Sequence, residues 1–259
     1  MFFPLSDDDR ELSGPAYVTI ALIALNLIAF AIQMSTDQKV TYGWSVVPQE
    51  ITTGTDLVDP IAIQTSKGIQ HVPHQPGPSP IWLTLITCMF LHSGFMHIGS
   101  NLLYLWIFGD NVEHRFGPVK FLMFYLAAGI AATMAQIFLK PDSIIPTLGA
   151  SGAISGVLGA YLVLFPRNKV KALILYFLVE VPALLVLGLW IGMQLVNGTG
   201  SLFSANGGGG GVAYAAHIGG FVAGVLVALA VRKFEFHDHE PDSVLRRKYE
   251  QDPRSKRYW

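Results

Sequence analysis

The chain has 259 residues, 51% of them hydrophobic and only 14% charged, with a mean hydropathy of +0.44. Soluble domains carry about 25% charged residues, so this composition excludes an ordinary water-soluble protein and indicates one that crosses a membrane several times. The formal net charge of −1 gives no electrostatic case for a nucleic-acid partner, and the sequence carries no nucleic-acid-binding motif.

Residues 1–16 form a charged leading segment. Asp7, Asp8 and Asp9 stand where a cleavable signal would carry basic residues, so the first apolar run is expected to stay as a signal anchor. Six spans are expected, at 17–34, 81–108, 119–139, 147–165, 182–196 and 212–231, judged against the ~20 residues that cross hydrocarbon. The fifth is short, about 22 Å of helix, and is expected to be mobile. Glu180 and Pro182 interrupt the apolar stretch before it, which puts 169–179 at the interface. Residues 35–80 read as a long outer loop with a Pro-rich end, and 197–211 as an outer loop ending in five glycines. The expected fold is an all-α polytopic membrane protein with six transmembrane helices. Its parts are a cytoplasmic segment 1–16, a membrane domain 17–232 and a cytoplasmic tail 233–259.

Basic residues set the orientation. With both termini cytoplasmic, the inner side holds Arg10, Arg115, Lys120, Arg167, Lys169, Lys171 and the eight basic residues from Arg232 onward. Only Lys39, Lys67 and Lys140 fall outside. No internal repeat is evident, which argues against a transporter built on duplicated halves. The single cysteine, Cys88, excludes an intramolecular disulfide and a Cys-rich metal site.

Two residues within apolar runs stand out. Ser151 lies in Gly149-Ala150-Ser151-Gly152 and His217 in Ala216-His217-Ile218-Gly219-Gly220. A histidine at that depth is costly and marks a functional interior; a serine with an imidazole is the smallest nucleophile that carries its own base. The topology puts both one to two turns below the outer surface. Gly149, Gly152, Gly156 and Gly159 on the fourth span, and Gly220 and Gly224 on the sixth, offer faces on which membrane helices approach closely. The second span adds His97 and Asn101, four residues apart on one helix face, as hydrogen-bond donors for a developing oxyanion. His92 falls off that face and reads as a structural hydrogen-bonder to the first loop.

The pattern H-x-x-x-x-H-x-x-x-N, then G-x-S-G, then A-H-x-x-G-x-x-x-G, on the second, fourth and sixth spans, resembles the rhomboid family of intramembrane serine proteases. The stretch Phe108-Gly-Asp-Asn-Val-Glu113-His-Arg115-Phe-Gly117 is similar to its bacterial members. The resemblance implies that Ser151 is the nucleophile and His217 its base. It makes the Ser151 backbone N–H, His97 and Asn101 the oxyanion hole, and Gly149, Gly152, Gly220, Gly224 and His92 structural supports. It implies transmembrane-helix substrates cut near the outer face at small residues, no cofactor, and a bacterial inner-membrane location. It also makes the short fifth span and the glycine loop candidates for a lateral gate and a cap. The chain departs from the family at Ser155, where many members carry an aromatic residue against which the catalytic imidazole packs. His217 must therefore be braced by Ser155 or by a residue elsewhere.

Competing readings lack residues. There is no H-E-x-x-H, no pair of aspartates within spans, and Ala153 replaces the second glycine of G-x-S-x-G. His237-Asp238-His239 reads as solvated tail, and His71, His74 and His114 as loop or interface residues. A catalytically inactive rhomboid-like protein that binds membrane segments is the alternative; it would need none of the Ser151, His217, His97 and Asn101 set.

Overall fold

Lipid offers a backbone no hydrogen-bond partner, so the apolar runs satisfy their amides internally as helices. The computed structural model describes residues 2–7, 14–36, 38–65, 68–174, 176–203 and 213–238. In chain order these form β1 (Phe2–Ser6), α1 (Tyr17–Ser35), α2 (Lys39–Gly43), α3 (Pro48–Thr53), β2 (Ile61–Thr65) and β3 (Gly68–Val72). Next comes α4 (Thr84–Thr87), flanked by single 3₁₀ turns at Ile81–Leu83 and Cys88–Phe90, followed by α5 (Phe95–Phe116), α6 (Pro118–Leu139) and α7 (Ser151–Leu164). The remainder is β4 (Lys169–Ile174), β5 (Phe177–Pro182), α8 (Ala183–Phe203) and α9 (Tyr214–Asp238). The five-glycine run and the tail from residue 239 lie outside the described residues.

The expectation of six spans is overturned. Among the described residues, three helices are long and apolar enough to cross a membrane: Tyr17–Ser35, Pro118–Leu139 and Tyr214–Lys233. A fourth span is counted if Ile81–Phe90 and Phe95–Phe116, bent by 79° at the break between them, are taken as one. The expected fourth span fails at its start. Thr147 pairs with Val46 in an antiparallel bridge, and helix begins only at Ser151. The 14 residues of α7 rise about 21 Å, against ~30 Å of hydrocarbon. The expected fifth span has a described apolar stretch of only Ala183–Gly198, because the chain before it is drawn into strands. A hydropathy window averages over these breaks and so cannot register them.

Strands also appear where loop or interface was expected. β4 and β5 form an antiparallel hairpin over 169–182, and β1 adds to β4 as a third antiparallel strand. Residues 2–7 are therefore docked on the bundle. Asp7 is buried and its Oδ2 accepts a hydrogen bond from Asn111 Nδ2 at 2.7 Å and another from the Tyr161 hydroxyl. β2 and β3 form a second hairpin within the loop between α1 and α5.

The bundle is organised around α7. Its residues from Gly152 to Tyr161 are all buried, as befits a helix that is apolar all round, and α5, α6 and α9 enclose it. Phe108, Phe121, Tyr125 and Tyr161 fill the surrounding core. Two polar clamps join α1 to α5 and to the break before it. Ala16, at the N-cap of α1, has no capping side chain. Instead the Glu113 carboxylate, near the end of α5, accepts the amides of Val18 at 2.9 Å and Thr19 at 2.7 Å. At the other end of α1, Gln33 Nε2 donates to the His92 carbonyl at 3.1 Å, and the His92 amide donates to Gln33 Oε1 at 2.9 Å. These bonds satisfy backbone groups that the break between Phe90 and Phe95 would otherwise leave open.

Candidate active site

The site grows out of the turn that starts α7. Gly149 holds φ at +129°, and a Cβ there would lie 2.9 Å from Cε1 and Nε2 of His97, so only glycine fits. The Gly149 amide donates to the Cys88 carbonyl at 2.8 Å. The segment leading into this turn is tied down by the loop that spans residues 35–80. Gln49 N donates to Ser143 O at 3.1 Å, Val46 and Thr147 exchange backbone bonds, and His74 Nε2 donates to Ile144 O at 2.8 Å. Ser151 thus becomes the first residue of α7, where amides have no intrahelical acceptor and carry the positive end of the helix dipole.

His217 stands on the first turn of α9 and is brought to Ser151 by glycines. A Cβ on Gly220 would lie 2.1 Å from the Gly152 carbonyl oxygen, and one on Gly224 would lie 1.9 Å from that of Gly156. Only backbones without side chains pack so closely. The result is a distance of 2.7 Å between His217 Nε2 and Ser151 Oγ. The other ring nitrogen, Nδ1, is 2.9 Å from Gln194 Oε1 on α8. An amide oxygen only accepts, so Nδ1 carries the proton, and Nε2 is left bare to accept the Ser151 hydroxyl.

His97, Asn101, Ser151 and His217 line one partly open cavity of about 450 Å³, together with Leu148 and Trp190 among others. Ser93 donates its amide to His97 Nδ1 at 3.3 Å, which leaves the proton on Nε2, the nitrogen that faces Gly149. Asn101 Nδ2 donates to the His97 carbonyl at 3.0 Å; an NH₂ group has a second hydrogen to give. His92 packs its ring edge-on to His97, with centroids 5.1 Å apart. Among the described residues its buried ring nitrogens have no hydrogen-bond partner, and its tie to the fold runs through its backbone to Gln33 on α1 rather than to the loop 35–80.

Residues 80–234, more than half of the chain, match the Rhomboid domain family. The chain belongs to the rhomboid family. It is 33% identical over 150 residues to the rhomboid protease GluP of Bacillus subtilis (strain 168), a match covering 58% of this chain and 26% of that protein. It is 34% identical over 158 residues to rhomboid protein 1, mitochondrial, of Saccharomyces cerevisiae, covering 58% of this chain and 42% of that one. To RHOMBOID-like protein 12, mitochondrial, of Arabidopsis thaliana it is 30% identical over 169 residues, covering 59% and 47%. The chain spans less than half the length of each of these relatives. They are bacterial and eukaryotic, so what is shown is the family and not a bacterial type within it.

The aromatic brace that many rhomboids carry is supplied differently here. Ser155 is buried and donates its hydroxyl to the Ser151 carbonyl at 2.5 Å. The His217 ring instead packs on Trp190 of α8, with centroids 5.9 Å apart and planes at 37°. Sequence reasoning missed both Trp190 and Gln194. The available signal was Gln194 itself, an amide inside an otherwise apolar stretch, which needs a partner in the bundle interior. Among the described residues no group of three or more His, Cys, Asp or Glu side chains is placed to hold a metal ion. The side chains of His237-Asp238-His239 lie outside the described residues.

Proposed function

We propose that this rhomboid-family membrane protein is an intramembrane serine endopeptidase using Ser151 and His217 as a dyad. The observation that carries the reading is the 2.7 Å approach of His217 Nε2 to Ser151 Oγ, in the tautomer a base requires. His217 takes the hydroxyl proton as Ser151 Oγ attacks the scissile carbonyl. The negative charge that develops on the carbonyl oxygen is met by the Ser151 amide at the α7 N-terminus, by His97 Nε2–H and by Asn101 Nδ2. His217 returns the proton to the leaving amine, and water then hydrolyses the acyl-enzyme with His217 again as base.

Substrates on this reading are transmembrane helices with a weakened stretch, since a stable helix hides its carbonyls, and small residues at the cut suit the family. Domain limits of 1–16, 17–232 and 233–259, with both termini cytoplasmic in a bacterial plasma membrane, accord with the placement of basic residues. A reporter fused after Trp259 that is active only in cytoplasm checks that orientation.

The test is cleavage of a model transmembrane substrate in detergent, with fluorophosphonate labelling of the same preparations. Wild type should cleave and label. Ser151→Ala and His217→Ala should each lose on the order of 10⁴-fold or more. Cleavage that survives Ser151→Ala, or folded wild type that neither cleaves nor labels, overturns the proposal; the second result leaves a rhomboid-like binding protein.

A further inference from the structure

We infer that Gln194 is the residue that positions His217 for catalysis, so that activation of Ser151 depends on α8 being docked against α9. This rests on the proposed protease reading and extends it to a residue outside the G-x-S-G and A-H-x-x-G-x-x-x-G motifs. A histidine base needs its remote nitrogen protonated and oriented. In a Ser-His-Asp triad a carboxylate does this. Among the described residues no carboxylate borders the cavity that holds His217; its other titratable lining groups are His97 and Tyr104 of α5.

Gln194 fills the vacancy in two ways. Its Oε1 is 2.9 Å from Nδ1, so the opposite tautomer would set two lone pairs against each other and put a proton on Nε2, facing Ser151. At 2.9 Å that opposition of lone pairs disfavours the other tautomer directly. Trp190, one helical turn earlier on the same face of α8, lies against the ring at a tilt of 37° and also approaches Phe221, with centroids 6.3 Å apart. Trp190 thus fixes the tilt of the imidazole, and Gln194 fixes its rotation and tautomer.

Both residues arrive on an element held to the bundle along one face. Ala183, Val186 and Leu187 are buried in the core, whereas Leu184, Leu185, Leu189, Met193, Leu195 and Val196 are exposed on α8. The helix is therefore fastened along one narrow stripe that includes the two residues the base requires. Moving α8 away from α9 removes the acceptor and the stacking surface together. A dyad with α8 undocked keeps Ser151 and His217 in place on α7 and α9 but loses the tautomer that makes His217 a base.

The experiment compares wild type, Gln194→Met and Gln194→Glu, each as the full chain in detergent. It reads fluorophosphonate labelling rate, kcat and KM on a transmembrane substrate, and the ¹⁵N spectrum of the His217 ring. Gln194→Met keeps length and volume without an acceptor. It should lower labelling and kcat by about 10–100-fold, leave KM within about twofold, and erase the Nδ1–H signature. Gln194→Glu presents only acceptors and should label within about threefold of wild type. The inference fails if Gln194→Met labels as fast as wild type, or if Gln194→Glu falls as far as Gln194→Met. Should Gln194→Met melt early, Gln194→Asn, too short to reach Nδ1, serves in its place and must show the same loss. If wild type itself neither labels nor cleaves, the protease reading fails. The ¹⁵N spectrum then still decides the Gln194 contact: Nδ1–H present in wild type and lost in Gln194→Met supports it, and no difference overturns it.

Discussion

Gly224→Ala adds one methyl group at a point where α9 lies directly on α7. The new Cβ would stand 1.9 Å from the Gly156 carbonyl oxygen, 2.7 Å from its carbonyl carbon and 2.9 Å from its Cα. All three are backbone atoms, so no side chain can rotate aside. Carbon and oxygen settle at about 3.3–3.6 Å, so the helices must part by about 1.5 Å at this level. Overpacking of this kind costs about 1–3 kcal/mol, and more when backbone must move. Two turns away, the 2.7 Å bond between His217 and Ser151 spans the same interface. Parting by even 1 Å takes it beyond the 2.5–3.0 Å range of such bonds. Gly224→Ala should therefore lower the unfolding midpoint in detergent and reduce fluorophosphonate labelling by at least about tenfold. The matched control is Gly192→Ala on α8, where an added Cβ meets nothing within 4 Å and helix propensity improves by about 1 kcal/mol. It should be at least as stable as wild type. A Gly224→Ala protein with wild-type midpoint and labelling, or a Gly192→Ala protein equally damaged, would refute the close-packing argument.

Gly149→Ala forces both a +129° φ and a 2.9 Å clash with His97 onto a side chain; displacing one oxyanion donor should cost on the order of 10²-fold in labelling, and an unchanged rate would contradict that placement of His97. Asp7→Ala strips the buried partners of Asn111 and Tyr161, and should lower stability by about 2–3 kcal/mol in unfolding measurements, whereas Asp7→Asn, still able to accept, should lose less. Burial pushes the Glu50 carboxyl up from its ordinary 4.5 to about 7, aided by the charge of Asp56 and opposed by the Leu57 amide. Because the folded state holds this proton more tightly, the stabilisation is complete below pH 4.5 and is lost as pH rises through about 7. Glu50→Gln, which keeps the acceptor for Leu57, should match wild type near pH 4.5 and exceed its melting temperature at pH 8; equal curves at both pH values would discount the buried carboxyl.

What could be read directly were the features that repeat or that lipid makes expensive. The apolar runs of α1, α6 and α9 are legible because hydrocarbon demands a long unbroken stretch, and a histidine in such a stretch announces itself by its cost. The glycines of α7 and α9 were legible as a small-residue face, though not the atoms they would touch. The count of spans was not legible. Thr147 pairs with Val46 across about a hundred residues of chain, and that distant partner keeps 147–150 out of helix. The strands of 169–182 escaped for a related reason: β4 lies between β5 and the distant Phe2–Ser6, and that long-range pairing leaves no local periodic signature within an apolar context.

By itself, the sequence determined that this is a polytopic membrane protein and singled out Ser151 and His217 as its candidate chemical residues, because both readings follow from residue type and depth. Only the tertiary structure decided what surrounds the His217 ring. The proton on Nδ1 depends on an amide oxygen 2.9 Å away at Gln194, the ring plane on Trp190, and the turn that presents Ser151 on the loop 35–80, far upstream. None of these is a property of a segment. Each is a contact between elements, and hydrogen bonds and packing surfaces act over a few ångströms of space without regard to separation along the chain.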